Sequence, residues 1–347
     1  MDKTDITIEV TALLTEALEK INNNPTIRTL MVEREGKVLG TITDGDIRRG
    51  LINGLTKNDQ ISKFMYSDFT FLTRGKYEHE KIKFIKEQKL GIVPELNEDL
   101  SLNRIINFNS VKTILPIDAV IMAGGVGSRL MPLTENTPKP MLEIGDKPIM
   151  EYNIDLLKSY GITNLTLSVN YLAEKIEAYY GDGSGKGIGI SYVHEEEPLG
   201  TIGAVKQIKG FHNDYILVMN SDLLTNINLE SMFNDLIADQ SDMIVATTDY
   251  KVQIPYGVVE SVGNKITALK EKPTYTYYSN AGIYIFKKSL IDLIPSNSFF
   301  NATDLLEKLI ELNKKVLHYP INNYWLDIGK HADFEKAQHD IKQISFK

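Results

Sequence analysis

Two stretches of this chain combine backbone freedom with fixed positive charge: A-G-G-V-G-S-R-L-M-P-L-T at 123–134 and P-K-P-M-L at 138–142. Gly124, Gly125 and Gly127 let the main chain come close to a bulky anion, and successive amides in such a turn form an anion-binding nest. Arg129 and Lys139 bring the cationic charge that phosphate oxygens attract. Neither common phosphate motif fits. A P-loop closes on Gly-Lys-Ser/Thr, and a dinucleotide fingerprint requires a third glycine where Leu130 stands.

A carboxylate follows at the next informative point. The apolar run Tyr215–Met219 reads as a buried strand and ends in Asn220-Ser221-Asp222, so Asp222 emerges where a sheet meets solvent. A hard cation such as magnesium takes one or two carboxylates together with phosphate oxygens and water, and Asp222 suits that role as well as it suits a loop acid. The histidines show no metal-ligand spacing, with His194, His212, His318 and His331 isolated, and no serine stands in a Gly-x-Ser-x-Gly setting. Tyr275, Tyr277 and Tyr278 alternate as strand residues do and receive no chemical role.

Strands and helices must position these groups. Ile117–Met122 and Asn164–Val169 read as strands, and between them Pro148 opens a helix whose Ile149, Tyr152, Leu156, Leu157 and Tyr160 face inward before Gly161. That alternation predicts an α/β domain with a mainly parallel central sheet, helices on both faces, and a ligand crevice at the C-terminal strand ends. Ahead of it, residues 11–54 read as helix, strand, strand, helix. The strands are Arg28–Val32 and Lys37–Ile42, and Thr43-Asp44 caps the second helix. Residues 79–108 weakly repeat this plan, with a helix over His79–Gln88, a strand over Leu90–Val93 and a second helix over Leu102–Phe108. The boundary falls near Pro116, dividing a tandem α+β domain at 1–115 from a larger domain at 116–347.

Composition narrows the function. The 347 residues exceed an ordinary single domain, and 38 basic against 46 acidic side chains leave a net charge of −8, which disfavours a nucleic-acid surface. No cysteine is present, which removes disulfides, thiolate nucleophiles and zinc-thiolate sites together. The N-terminus lacks the pattern of a signal peptide, and no apolar run approaches the ~18 residues of a membrane span, so a cytoplasmic location without membrane partners is expected.

Two resemblances sharpen these expectations. Residues 40–50, G-T-I-T-D-G-D-I-R-R-G, resemble the ending of a cystathionine-β-synthase (CBS) motif. The likeness implies a regulatory CBS pair binding an adenosine nucleotide or another regulator, with Asp46 on the ribose and Thr43 beside it. A helix cap formed by Thr43 and Asp44 explains the segment equally well. The second repeat has Asn97-Glu98-Asp99-Leu100-Ser101-Leu102 where that site would recur.

From about residue 117 to 335 the glycine loop, R-L-x-P-L-T, P-K-P and the order of later segments resemble the sugar-1-phosphate nucleotidyltransferases. The likeness implies a Rossmann-like, glycosyltransferase-A-like domain that uses Mg2+ and joins a nucleoside triphosphate to a sugar 1-phosphate, in a homo-oligomer. It assigns catalysis to Arg129, Lys139 and Lys272, and nucleotide binding to Gly124, Gly125, Gly127, Ser128, Gly200 and Thr201. Glu197, Gly257, Glu271 and Asn280 fall to the sugar phosphate, and Asp327 of W-L-D-I-G-K joins Asp222 at the metal. The CBS pair before such a domain further resembles bacterial guanylyltransferases for hexose or glucosamine 1-phosphates used in surface glycans. That favours GTP and leaves UTP, dTTP, CTP and ATP open. A non-catalytic nucleotide or sugar-phosphate sensor remains a reading of another class. A glycosyltransferase would want Asp-x-Asp where Asn220-Ser221-Asp222 stands.

Overall fold

The computed structural model describes residues 3–23, 29–74, 77–344 and 346, and it separates into two compact units, Met1–Ile114 and Leu115–Lys347. Arg28 lies outside the described residues. In the smaller unit, strand Thr7–Glu9 pairs parallel with Thr29–Arg34, which pairs antiparallel with Lys37–Thr43; helix Leu14–Asn23 makes the crossover. The second half repeats the order. Leu72–Thr73 runs parallel to Ile92–Leu96, which pairs antiparallel with Leu102–Asn107, and helix His79–Glu87 crosses over.

The expected helix over 102–108 is therefore a strand. Leu102, Ile105 and Ile106 carry helical spacing, yet residues 97–101 turn the chain back onto the preceding strand. In that turn Asp99 accepts from the Ser101 amide and hydroxyl, and Leu100 takes a positive φ of 66°. Ladder pairing then overrides local spacing.

Elements of the larger unit are numbered from its own start. Seven strands form its main sheet: β1 (Ile117–Met122), β2 (Asn164–Val169), β3 (Gly189–His194), β4 (Tyr215–Asn220), β6 (Met243–Gln253), β9 (Thr274–Lys287) and β10 (Val316–Pro320). Between and after them come β5 (Leu223–Thr225), β7 (Val258–Val262), β8 (Lys265–Lys270) and β11 (Trp325–Asp327). The spatial order of the main sheet is β3-β2-β1-β4-β9-β6-β10, with only β9 antiparallel to its neighbours.

Strand alternation sorts the core onto two faces. Ile117, Ala119 and Ile121 of β1 join Leu217 and Met219 of β4 beneath α1 (Ile149–Ser159), α2 (Ala173–Tyr180) and α3 (Leu229–Ala238). Val120, Ile216 and Val218 point the other way, toward α4 (Ala302–Glu311) through Ala302, Leu305 and Leu309. A last helix, α5 (His331–Asp340), follows β11. Helices on both faces leave the strand ends as the open crevice.

Candidate active site

The loops leaving β1, β2, β3 and β4 line one crevice of about 510 Å3, through Gly125 and Arg129, Asn170, Glu195 and Asp222 respectively. Four parallel strands thus deliver their C-terminal loops to one place, although these residues span nearly a hundred positions of sequence.

The glycine loop has two kinds of glycine. Gly127 sits at φ +67°, where a Cβ would lie 3.0 Å from side-chain carbons of both Lys139 and Thr134, so loop shape and close packing require it. Thr134 Oγ1 closes that turn by donating to the Gly127 carbonyl at 2.9 Å. Gly125 differs: an added Cβ would meet nothing within 4 Å, and the residue lines the crevice. Its missing side chain leaves space for a ligand and is not demanded by the fold.

The carboxylates meet through a small ladder. β5 and β11 pair antiparallel with Leu223 opposite Asp327, and the Ile328 amide donates to the Asp222 carbonyl at 3.0 Å. Asn153 Nδ2 donates to the Ser221 carbonyl at 3.1 Å and fixes the turn from below. Asp222 pairs with Lys139 Nζ through one carboxylate oxygen. Its other oxygen, Oδ1, is buried without a partner among the described residues, and so is Asp327 Oδ1. Burial pushes the Asp327 carboxyl above its usual range and the Asp222 charge pushes it the same way, while Lys139 and Arg129 oppose both. Arg129 lies against the residue after this ladder, since a Cβ on Gly329 would stand 3.6 Å from its guanidinium nitrogens.

Buried polar oxygens without partners are costly, at about 1–3 kcal/mol each, and two of them beside the glycine loop fit a cation site. Among the described residues no three His, Cys, Asp or Glu side chains cluster as metal ligands. A cation here would complete its shell with phosphate oxygens and water, as hard divalent ions ordinarily do.

Of the residues expected from sequence, Gly124, Gly125, Gly127, Ser128, Arg129, Lys139, Gly200, Thr201 and Asp222 line the crevice, and Asp327 adjoins Asp222. Gly200 has φ +78°, and a Cβ there would strike the Phe300 carbonyl at 2.7 Å. Thr201 Oγ1 accepts from the Ala302 amide at 2.8 Å, tying this segment to the start of α4.

The residues expected to hold the sugar phosphate are not among those lining this crevice. Glu197 lines a separate depression with His194, Gln207 and Asn297, and Glu195 occupies the crevice instead. Glu195 is buried; its Oε1 accepts from Ser168 Oγ at 2.5 Å and its Oε2 from the Leu199 amide at 2.8 Å. In a run of three glutamates, only its position directly after β3 signals this. Gly257, Glu271 and Lys272 sit together on an exposed arm; Glu271 Oε2 lies 3.2 Å from where a Gly257 Cβ would be. Asn280 stands at the arm's root, its Oδ1 accepting from the Gly282 amide at 2.9 Å.

Residues 118–344 match the nucleotidyl transferase family model. This chain belongs to that family. Residues 1–53 match the CBS domain model. The transferase is 34% identical over 229 residues to a D-glycero-α-D-manno-heptose 1-phosphate guanylyltransferase of Aneurinibacillus thermoaerophilus, spanning 65% of this chain and 99% of the relative. It is 33% identical to a UTP–glucose-1-phosphate uridylyltransferase of Synechocystis, over 63% of this chain and 62% of that one. With a mannose-1-phosphate guanylyltransferase of Mycobacterium tuberculosis it shares 31%, over 65% and 64% of the two chains. In these last two the match covers less than two thirds of the relative's length.

Among solved structures, HddC from Yersinia pseudotuberculosis complexed with GMP-PN superposes with a TM-score of 0.50 at 25% identity, covering 65% of this chain and 99% of the other. A putative glucose-1-phosphate thymidylyltransferase from Bacillus anthracis, in complex with sucrose, shares the fold at a TM-score of 0.55 and 23% identity, over 67% and 97%. Enzymes of this family generally use a divalent metal. Among the described residues no helix is long and apolar enough to cross a membrane.

In the N-terminal unit, Thr43 and Asp46 form a reciprocal capping box on helix Asp44–Ile52. Asp46 Oδ2 accepts from the Thr43 amide at 2.8 Å and hydroxyl at 2.6 Å, and Oδ1 accepts from Arg49 Nη2 at 2.5 Å. Three of the carboxylate's acceptor positions are thus taken up within the cap itself.

Proposed function

We propose that this transferase moves a guanylyl group from GTP to a sugar 1-phosphate, releasing pyrophosphate, with Mg2+ as its metal. The juxtaposition of Asp222 and Asp327, each with a buried unpartnered oxygen, against Arg129, Lys139 and the glycine loop carries the reading. Asp222 and Asp327 would hold the magnesium. Bound there, it supplies positive charge to the phosphates and withdraws electrons from the reacting phosphorus.

The chain's own groups supply position and charge. Amides of residues 124–128 receive the phosphate oxygens, and Arg129 balances the charge that grows as pyrophosphate separates. Lys139, paired with Asp222, holds the carboxylate pair together in the face of its own repulsion. A phosphate oxygen of the sugar 1-phosphate attacks the α-phosphorus in line; the bond to the β-phosphate oxygen breaks, and its electron pair leaves with pyrophosphate. The attacking oxygen is already ionised, so no general base is required.

GTP is favoured by the guanylyltransferases among the relatives and by Glu195. Guanine presents N1–H and N2–H side by side, a pair of donors matched by a carboxylate's acceptor oxygens, whereas uracil presents one donor flanked by two carbonyls. The acceptor falls among hexose or heptose 1-phosphates, as the relatives' substrates indicate. Lys272 and Glu271, carried on the arm, are assigned to its phosphate and hydroxyls. The test is pyrophosphate release with magnesium, presenting GTP, UTP, dTTP, CTP and ATP against hexose, aminohexose and heptose 1-phosphates. Turnover confined to GTP with one acceptor class is expected; folded protein silent across the panel would overturn the catalytic reading, and turnover with UTP alone would overturn the base assignment.

A further inference from the structure

The outer halves of β6 and β9 leave the core together. Through residues 243–247 β6 has β9 on one side and β10 on the other, but from 248 to 253, among the described residues, only β9 accompanies it. β9 in turn meets β4 only through residues 283–287. What projects is a two-stranded ribbon, tipped by the β7–β8 hairpin and exposed on both faces. Isolated ribbons of this kind are marginal in water. Nine of the 24 large exposed hydrophobic residues among those described lie between 250 and 278, a concentration that calls for a cover.

The direction of the free backbone groups follows from two hydrogen bonds. Ile254 N donates to the Pro273 carbonyl, and Ile321 N donates to the Thr247 carbonyl on the opposite side of β6. A strand residue sends its N–H and C=O to the same side, and successive residues alternate. Tyr250 and Val252 therefore bond to β9, while Asp249 and Lys251 turn their N–H and C=O groups to the open edge. These two side chains share a face, 3.7 Å apart, on either side of Tyr250.

That edge is its own electrostatic complement. A two-fold axis through Tyr250 sets Asp249 of one copy opposite Lys251 of the other, and the reverse, with the open amides and carbonyls of both residues facing each other. We propose that this edge joins two copies of the chain, β6 against β6 in antiparallel register, giving a continuous four-stranded sheet. An edge lysine ordinarily discourages strand pairing. Here the carboxylate two residues away gives it a partner in the second copy. The Ile321 bond already occupies the Thr247 carbonyl, so the free edge begins beyond that residue, and within it the opposition of Asp249 and Lys251 selects the register centred on Tyr250.

The absence of cysteine makes the test clean, because Tyr250→Cys introduces a single thiol. Across such an axis the two Cα atoms of a non-hydrogen-bonded antiparallel pair stand about 4.5 Å apart, within disulfide reach. Under mild oxidation Tyr250→Cys should form covalent dimer at least about tenfold faster than Val262→Cys, which is 77% exposed on the same arm but away from the axis. In sedimentation, Asp249→Lys and Lys251→Asp should each weaken self-association by at least about tenfold, and the double exchange should restore it. Equal cross-linking rates, single variants that associate like the parent, a double exchange no better than either single change, or a parent chain that stays monomeric at about 100 μM would each overturn the proposal.

Discussion

Replacing Gly125 by alanine separates a glycine kept for a ligand from one kept for the fold. The added methyl meets no atom within 4 Å and Gly125 has no left-handed φ, so the folded chain accepts it without strain. Restricting the unfolded chain should then raise stability by at most about 1 kcal/mol. Activity should behave differently. A phosphate oxygen held by these amides sits about 2.9 Å from nitrogen, a distance at which the new Cβ intrudes on its place. Pushing a reacting group aside by about 1 Å costs on the order of 10²-fold in rate. Gly127→Ala gives the contrast: a left-handed residue costs about 1–2 kcal/mol before any movement of Lys139 and Thr134, or roughly 2–8 °C of melting temperature for a domain of this size. Thermal melts and initial rates of pyrophosphate release measure both. Near-parental kcat/KM in folded Gly125→Ala would refute the idea that this loop wraps phosphate.

Asp222→Asn should lose at least about 10²-fold in kcat with no recovery at high magnesium, because an amide binds the cation weakly and leaves Lys139 uncompensated; turnover restored by added metal would contradict the assignment. Asp327→Asn relieves the repulsion between the two carboxylates, so its melting temperature in chelator should rise while activity falls. Glu195→Gln should lower the GTP-over-UTP ratio of kcat/KM by roughly 10–100-fold, the worth of a charged hydrogen bond, with Ser168→Ala as the positional control. Lys272→Ala should raise KM for the sugar phosphate and leave that for GTP unchanged, measured by varying each substrate separately. Hydrogen bonds from Lys336 and then Tyr324 lower the Asp340 carboxyl to about 2, so its stabilising contribution is present above about pH 4 and disappears as pH falls toward 2. The difference in urea midpoint between the parent and Asp340→Asn should therefore be visible at pH 7 and vanish near pH 2.

The sequence by itself determined what is local. The glycine loop, Arg129 and Lys139 lie within seventeen residues, and a turn of that composition binds anions wherever it is placed. Strand and helix periodicity likewise exposed the α/β pattern and placed Asp222 just past the end of β4, because alternation and 3.6-residue spacing are written residue by residue. Tertiary structure decided what depends on pairing. Residues 102–107 satisfy a helical spacing and became a strand because a neighbouring strand accepted their hydrogen bonds. Asp327 stands beside Asp222 only through the ladder between β5 and β11, and their repulsion exists only after folding. In Glu195-Glu196-Glu197 the side chains are chemically identical, and the crevice goes to the one that leaves β3 beside Ser168. The exposed arm was equally hidden, since β6 runs from apolar to polar and β9 from polar to apolar without a break in sequence, and the point where their neighbours stop is a property of the sheet.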